Sequence, residues 1–273
     1  MAIKGSTEIY GIIGNPVAHS LSPDMHNSAF EALGMDKAYV AFPAEDAAQA
    51  LDGCRALGVR GLSVTIPHKE RVLTLVNSVD PVAEKIGAVN TLIIDEEKKI
   101  HGLNTDWIGS NRALQDELDL QGKRVLLLGA GGSARAIGFG LLEAGAEVIL
   151  ASRTQSRLQS LADSLQCEWC LLDDLATMQA DALVNATSVG MMPLEKVSLV
   201  PAHCLVNFPV VMDIVYAPLE TQLLKDAKEA GCKVIDGLAM LLYQGAAQFE
   251  AWTDEKAPLD VMRAAIMERL TEK

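Results

Sequence analysis

The stretch VLLLGAGGSARA, residues 125–136, combines an aliphatic run, a glycine-rich turn and the start of a helix-like segment. In such a strand–turn–helix unit, Gly129 makes the tight turn, Gly131 lets the backbone approach a pyrophosphate, and Ala134 allows close helix packing. The stretch predicts a dinucleotide-binding α/β fold, and a glycine-rich turn without a ligand is the alternative. The candidate pyrophosphate-binding residues, which include the first amide donors of the helix, are Gly129, Ala130, Gly131, Gly132 and Ser133.

The segment after the next expected strand distinguishes an NAD site from an NADP site. An NAD site has an acidic residue about 20 residues after the glycine turn, where it holds the ribose 2′-hydroxyl. This chain instead reads Ser152-Arg153-Thr154-Gln155-Ser156-Arg157. Guanidinium groups and hydroxyls suit a 2′-phosphate. We predict NADP, bound by Ser152, Arg153, Thr154 and Arg157; a basic loop without this role is the alternative.

Short apolar runs alternate with helix-like segments along the whole chain. The strands expected in the second half are 124–128, 148–151, 182–185, 211–215 and 233–235. The elements expected in the first half are strands 9–13, 39–42 and 61–66, helices 23–33 and 44–57, and a hairpin of 90–94 with 99–102. Ser22 is expected to cap the first helix.

This rhythm predicts an α/β protein with a doubly wound parallel sheet in its second half. We expect residues 1–103 to form an α/β substrate-binding catalytic domain and residues 104–237 a Rossmann-type NADP-binding domain. The helical tail, residues 238–273, is expected to return to the first domain and complete it.

The composition limits the partners. The chain has 273 residues and a formal net charge of −13. Such a protein repels a phosphate backbone or an anionic membrane, so we expect a small-molecule substrate, no nucleic acid and no membrane. The five scattered cysteines indicate reduced thiols and a cytoplasmic location. Cys167 and Cys170 have CxxC spacing but no second ligand pair, so we expect no metal. The oligomeric state stays open, with a homodimer among the options.

Lys69 follows LSVTIP, residues 62–67, a strand-like run that stops at a proline. A lone lysine is most often a solvated loop charge. The cluster Asn104-Thr105-Asp106 has a helix cap as its plain interpretation. Other polar clusters, however, also stand at strand ends: Ser20-Leu21-Ser22, Thr65 and Asn90-Thr91. Together these side chains predict a cleft that binds a small polyol acid next to a nicotinamide.

From Gly11 to about Gln248 the chain resembles the shikimate dehydrogenase family. The matching stretches occur in one order: NPVAHSLSPDMHN, SVTIPHK, GAVNTL, GLNTDWIG, GAGGSARA, SRT, NATSVGM, DIVYAPLET and GLAMLLYQG. The resemblance implies an NADP-linked oxidoreductase that interconverts 3-dehydroshikimate and shikimate in aromatic amino acid biosynthesis, the chorismate pathway. It also implies a discontinuous first domain, which fits a returning tail.

The resemblance also implies roles for individual residues. Lys69 and Asp106 match the catalytic pair, and Ile214 and Gly237 fall where the family lines the nicotinamide. The implied substrate-binding residues are Ser20, Ser22, Thr65, Asn90, Tyr216 and Gln244. The chain departs from the family at Ser63 and Ser152, where asparagine is usual.

Three other functions stay open at this stage. The first is a quinate or quinate/shikimate dehydrogenase that uses NAD. The sequence does not exclude it, because the choice of substrate could rest on one hydroxyl contact, although Arg153 argues against NAD. A non-catalytic NADP(H) sensor would need neither Lys69 nor Asp106. A folate-type dehydrogenase fits poorly with an aromatic content of 4%, because a pterin is held by stacking.

Overall fold

The computed structural model describes residues 2–271, which form two compact units, each built on a six-stranded sheet. The first unit ends at Thr105 and resumes at Gln244, and the second unit is Asp106–Tyr243. The boundary at which the chain returns to the first unit, after Tyr243, thus falls six residues beyond the expected boundary at 237 and lies inside a helix. The physical reason is packing, since Met240 and Tyr243 belong with the core of the second unit.

The first unit contains a mixed sheet. Its strands are β1 Glu8–Gly14, β2 Lys37–Pro43, β3 Gly61–Val64, β4 Ser78–Val79, β5 Thr91–Ile94 and β6 Ile100–Leu103. Its helices are α1 Ser22–Ala32, α2 Ala47–Ala56, α3 Lys69–Val72, α4 Pro81–Ile86 and α10 Leu259–Thr271, with the later part of α9 Gly237–Thr253. The strand order is β2-β1-β3-β5-β6-β4. β1 is parallel to β2 and β3, while β5 is antiparallel to both β3 and β6.

The tail of the chain covers the first sheet, as the sequence predicted. The indole of Trp252, on α9, lies where a Cβ of Gly61 would stand, and its Nε1 donates to Leu92 O at 2.9 Å. Only glycine leaves room for this ring on β3. α9 therefore contacts two neighbouring strands of the first sheet directly.

Two local expectations for the first unit were wrong, and two short helices were missed. Leu21, and not Ser22, occupies the N-cap of α1, and Ser22 is the buried first helical residue. β3 stops at Val64, two residues earlier than expected, because the chain turns so that Thr65 O accepts from the His68 N–H. The short helices α3 and α4 were not predicted, since neither is long enough to show a clear apolar period.

The second unit confirms the doubly wound fold. Its strands are β7 Arg124–Leu128, β8 Glu147–Ser152, β9 Glu168–Leu171, β10 Ala182–Asn185, β11 Val210–Asp213 and β12 Lys233–Ile235. Its helices are α5 Asp106–Gln115, α6 Gly132–Glu143, α7 Gln155–Leu165 and α8 Gln222–Glu229, with two 3-10 helices, Leu172–Thr177 and Ala202–Asn207. All five strand pairs of this sheet are parallel, in the order β12-β11-β10-β7-β8-β9. The order reverses between β7 and β10, which is where such folds bind dinucleotides.

The aliphatic run of β7 is explained by burial on both faces. Val125 and Leu127 pack into one core cluster with Ile137 of α6, while Leu126 and Leu128 pack into a second cluster. Fully burying an aliphatic side chain contributes about 1.5–3 kcal/mol. The continuous apolar pattern that decided the fold therefore reflects two separate cores.

Among residues 2–271, no helix combines the length and the apolar character that crossing a membrane requires. All five cysteines are free thiols. Burial raises the pKa of Cys170 and raises that of Cys167 to about 11, which disfavours the reactive thiolate of this CxxC pair.

Candidate active site

The glycine turn has the geometry of a phosphate cradle. Gly129 follows β7 with φ +122°, and a Cβ at this position would lie 3.1 Å from Ala186 O. Gly131 is the N-cap of α6, and a Cβ there would meet no described protein atom within 4 Å. The turn is thus packed against other residues at Gly129 and has free space at Gly131. That space lies at the start of a 12-residue helix, whose amide groups and dipole favour the binding of an anion.

The turn after β8 carries two arginine side chains, Arg153 and Arg157. β8 ends at Ser152, Thr154 is the N-cap of α7, and Arg157 lies in the first turn of that helix. Arg153, Thr154 and Arg157 are exposed, and Ser152 is half-buried. Within the described chain neither guanidinium forms an ion pair with a carboxylate. This turn therefore concentrates positive charge on a strongly acidic protein, as a 2′-phosphate site requires.

Ile214 and Gly237 are brought together in the second unit. A Cβ on Gly237, the first residue of α9, would stand 2.5 Å from Ile214 O and 2.6 Å from Val215 O. The start of α9 therefore presses on the backbone that follows β11. Tyr216, two residues beyond Ile214, is half-buried on the same segment.

Asp213 at the end of β11 was missed by sequence reasoning. Its fully buried carboxylate accepts from the Thr221 hydroxyl at 2.7 Å, Asn185 Nδ2 at 2.9 Å and the Val215 amide at 3.0 Å. Burial raises the pKa of Asp213 to about 6, against the effect of these donors. The stretches NATS and DIVYAPLET contain these partners, but the sequence does not show that they meet.

Three of the residues expected to bind substrate, Ser20, Thr65 and Asn90, lie at one edge of the first sheet. Residues 15–22 follow β1 and Thr65 follows β3, and these strands are parallel neighbours. Asn90 directly precedes β5, which is antiparallel to β3, so its position is at the same edge. Within this group, Ser20 Oγ accepts from the Ser22 N–H at 3.2 Å. The topology therefore gathers side chains that are far apart in the sequence.

Lys69 is held at this edge by its backbone. It is the first residue of α3, is half-buried, and its carbonyl accepts from the Val89 N–H at 2.9 Å. The preceding His68 is buried with Nε2 2.7 Å from Ala44 O, which gives that imidazole a structural role. The lysine is thus attached to a fixed backbone next to the segment that carries Asn90.

Asn90 lies at the centre of a buried polar cluster. Its Oδ1 accepts from the Thr105 N–H at 2.8 Å and from the Thr91 hydroxyl at 2.7 Å. Its Nδ2 lies 3.0 Å from Thr105 Oγ1 and 3.5 Å from Gln244 Oε1. Asp106 is covalently next to Thr105 and is the buried first residue of α5. Gln248, a second glutamine of α9, joins this cluster and was not predicted.

Comparisons with known proteins identify the family. The family model described as "Shikimate dehydrogenase substrate binding domain" matches residues 12–92, and "Shikimate / quinate 5-dehydrogenase" matches residues 111–215. A third model, "Shikimate 5'-dehydrogenase C-terminal domain", matches residues 237–267.

Similar proteins extend over nearly the whole chain. A relative named shikimate dehydrogenase (NADP(+)) from Natronomonas pharaonis is 50% identical over 96% of this chain and 100% of its own. A shikimate dehydrogenase solved with NADP+ is 40% identical, covers 98% of both chains and has a TM-score of 0.91. Shikimate 5-dehydrogenase from Thermus thermophilus, solved with NADP(H) and shikimate, is 38% identical over 96% of this chain and 99% of its own, with a TM-score of 0.87. The chain belongs to the shikimate dehydrogenase family.

Proposed function

We propose that this protein catalyses the NADP-dependent, reversible reduction of 3-dehydroshikimate to shikimate, an oxidoreductase reaction at a CH–OH group. The observation that carries the proposal is the position of Ser20, Thr65, Lys69 and Asn90 at one edge of the first sheet. The names of the relatives at 40–50% identity support the same reaction. The step belongs to aromatic amino acid biosynthesis.

NADP is the cofactor that the second unit fits. The open turn at Gly131 and the start of α6 would hold the pyrophosphate, and Arg153 and Arg157 would hold the 2′-phosphate. Ile214 and Gly237 would line the nicotinamide. When bound, NADPH supplies the hydride that reduces the ketone.

Lys69 carries the proton in this proposal. Negative charge develops on the ketone oxygen during reduction, and an ammonium beside that oxygen stabilises the charge and then donates a proton. In the oxidative direction the neutral amine accepts the proton of the hydroxyl group. Asp106 orients the lysine and the reacting hydroxyl. The backbone of Lys69 is held by the Val89 N–H, directly before Asn90.

The other polar residues bind and orient the substrate. Ser20 and Ser22 would hold its carboxylate, with Tyr216 near the same group. Thr65, Asn90 and Gln244 would hydrogen-bond its hydroxyl groups. Fixing the ring in this way orients the reacting carbon for hydride transfer, and orientation is a large part of catalysis.

Quinate with NAD is the second candidate, because a choice between shikimate and quinate can rest on one hydroxyl contact. The two exposed arginines after β8 favour NADP over NAD. A non-catalytic NADP(H) sensor is disfavoured, since it needs no lysine at position 69. A cytoplasmic location and the lack of a nucleic-acid partner belong to the proposal as well, supported by the cysteine content and the net charge of −13. A homodimer is the assembly to test.

The test is the absorbance of reduced nicotinamide with purified protein. Shikimate and quinate are each offered with NADP and with NAD. Fast reduction of NADP with shikimate is expected. A preference for quinate with NAD would mean that quinate is the substrate and that Arg153 does not select NADP. Tight binding of NADPH without turnover would support the non-catalytic sensor instead.

A further inference from the structure

The direction of the hydrogen bonds around Asn90 follows from a backbone group. The amide of Thr105 can only donate, so the side-chain atom 2.8 Å from it must be Asn90 Oδ1. The Thr91 hydroxyl donates to the same oxygen at 2.7 Å. Turning the amide by 180° would set Nδ2 against these two donors in a buried site. Asn90 therefore presents an N–H, and not a carbonyl oxygen, toward Gln244.

Gln248 is oriented by the same logic. It lies one turn beyond Gln244 on α9 and is 1% exposed. Its Nε2 lies 3.1 Å from the carbonyl oxygen of Asn90, which can only accept, and 3.1 Å from Thr91 Oγ1. Thr91 therefore accepts from Gln248, and its own proton is directed to Asn90.

The oxygen of the Gln248 side-chain amide is bound by Ser63, which is bound in turn by Tyr39. Gln248 Oε1 accepts from the Ser63 hydroxyl at 2.8 Å, and Ser63 Oγ accepts from the Tyr39 hydroxyl at 2.6 Å. All of these groups are buried. Ser63 is thus a link in a continuous chain of hydrogen bonds.

We propose that these side chains form a donor relay, Tyr39 to Ser63 to Gln248 to Thr91 to Asn90, that orients the Asn90 amide so that Nδ2 donates to a substrate oxygen. The inference rests on the proposed function, since it takes Asn90 as a substrate contact. Gln248 and Thr91 are positioning residues that act through Asn90. The site consequently selects an oxygen that accepts a hydrogen bond at this position of the substrate.

A double-mutant cycle separates this role from general support of the fold. Gln248→Met keeps the volume and removes both the donor and the acceptor of the side-chain amide, and we expect it to lower kcat/KM for shikimate about tenfold at saturating NADP, through KM. The KM for NADP stays unchanged. In an Asn90→Ala background, Gln248→Met is expected to have no further effect, because the group that it positions is gone. The exposed Gln49→Met is the matched control.

Two variants of Thr91 test the relay independently, in case Gln248→Met does not fold. Thr91→Ser keeps the donor and is expected to retain near wild-type kcat/KM, while the isosteric Thr91→Val loses about tenfold. Thermal unfolding confirms that the compared variants are folded. Equal losses in Thr91→Ser and Thr91→Val, or a Gln248→Met effect that is undiminished in the Asn90→Ala background, overturn the relay. Unchanged kinetics in Asn90→Ala overturn it too, whereas a wild-type protein that does not oxidise shikimate refutes the proposed function itself.

Discussion

A Cβ on Gly237 would stand 2.5 Å from Ile214 O, so only glycine lets the start of α9 close on the segment that follows β11. Both residues are expected to line the nicotinamide. A methyl group at position 237 must displace main-chain atoms, which cannot rotate away as a flexible side chain can.

We therefore expect Gly237→Ala to raise the KM for NADP and to lower kcat at least tenfold, because hydride transfer depends on orientation. Initial rates against NADP concentration measure both constants. Gly53→Ala, in α2 with no atom within 4 Å of the added Cβ, is the matched control and should be kinetically silent. Wild-type kinetics in Gly237→Ala would show that this contact does not shape the cofactor site.

Lys69→Ala is expected to lower kcat by roughly 10²–10⁴-fold, the usual contribution of general acid–base catalysis. Binding of NADP and of shikimate should change little, since the backbone of residue 69 still anchors Val89. Steady-state rates and equilibrium binding of the two ligands check the two halves of this expectation. The exposed Lys85→Ala should behave as wild type; full turnover by Lys69→Ala would require another proton donor.

Arg153→Ala is expected to lower kcat/KM for NADP roughly tenfold to a hundredfold, the cost of one charge-assisted hydrogen bond to a phosphate. The value for NAD should stay constant, because NAD has no 2′-phosphate. Comparing the two cofactors at saturating shikimate gives the selectivity ratio. Arg263→Ala, exposed on α10, is the control, and a parallel loss with both cofactors would argue against a 2′-phosphate contact.

His26 predicts a loss of stability in mild acid. Its buried ring stacks on Tyr39 with centroids 4.5 Å apart, and neither ring nitrogen makes a hydrogen bond of normal geometry to the described residues. Burial lowers its pKa from 6.5 to about 3. Below pH 6.5 the unfolded chain takes up a proton that the folded chain does not, so this contribution is full above pH 6.5 and declines toward pH 3.

The expected loss from His26 is roughly 2 kcal/mol of unfolding free energy between pH 7.5 and pH 5. His26→Phe keeps an aromatic ring and should flatten this part of the profile. Urea unfolding across the pH range measures it, with the exposed His203→Gln as control. An unchanged pH profile in His26→Phe would mean that other groups cause the acid sensitivity.

Asp213 is expected to make the protein less stable as the pH rises, which is opposite to the pH dependence expected from His26. Its pKa is raised from 3.8 to about 6 by burial, so the folded state holds its proton more tightly than the unfolded state. The stabilisation is present below pH 3.8 and is lost as the pH rises through 6. Asp213→Asn keeps a polar side chain and should remove this decline between pH 4 and 7 in the same unfolding assay. Glu31→Gln, at an exposed position of α1, should leave it in place.

The sequence alone determined most of the architecture. β7, β10 and β12 have the predicted bounds, and the doubly wound sheet and the returning tail were also predicted. These features succeed because aliphatic runs, glycine spacing and segment length are local signals of burial and turn formation. The cap of α1 failed because Ser22 was drawn into the buried face of the helix.

What only the tertiary structure decided is the direction in which the polar groups point. Gln248 lies 158 residues from Asn90 in the chain, yet its Nε2 donates to the backbone carbonyl of Asn90 and to the Thr91 hydroxyl. The same is true of Asp213, which meets Asn185 across 28 residues and Thr221 across eight. Side-chain identity establishes that donors and acceptors exist. Which of them meet depends on how α9 and the strand ends pack, and that packing is a property of the folded chain as a whole.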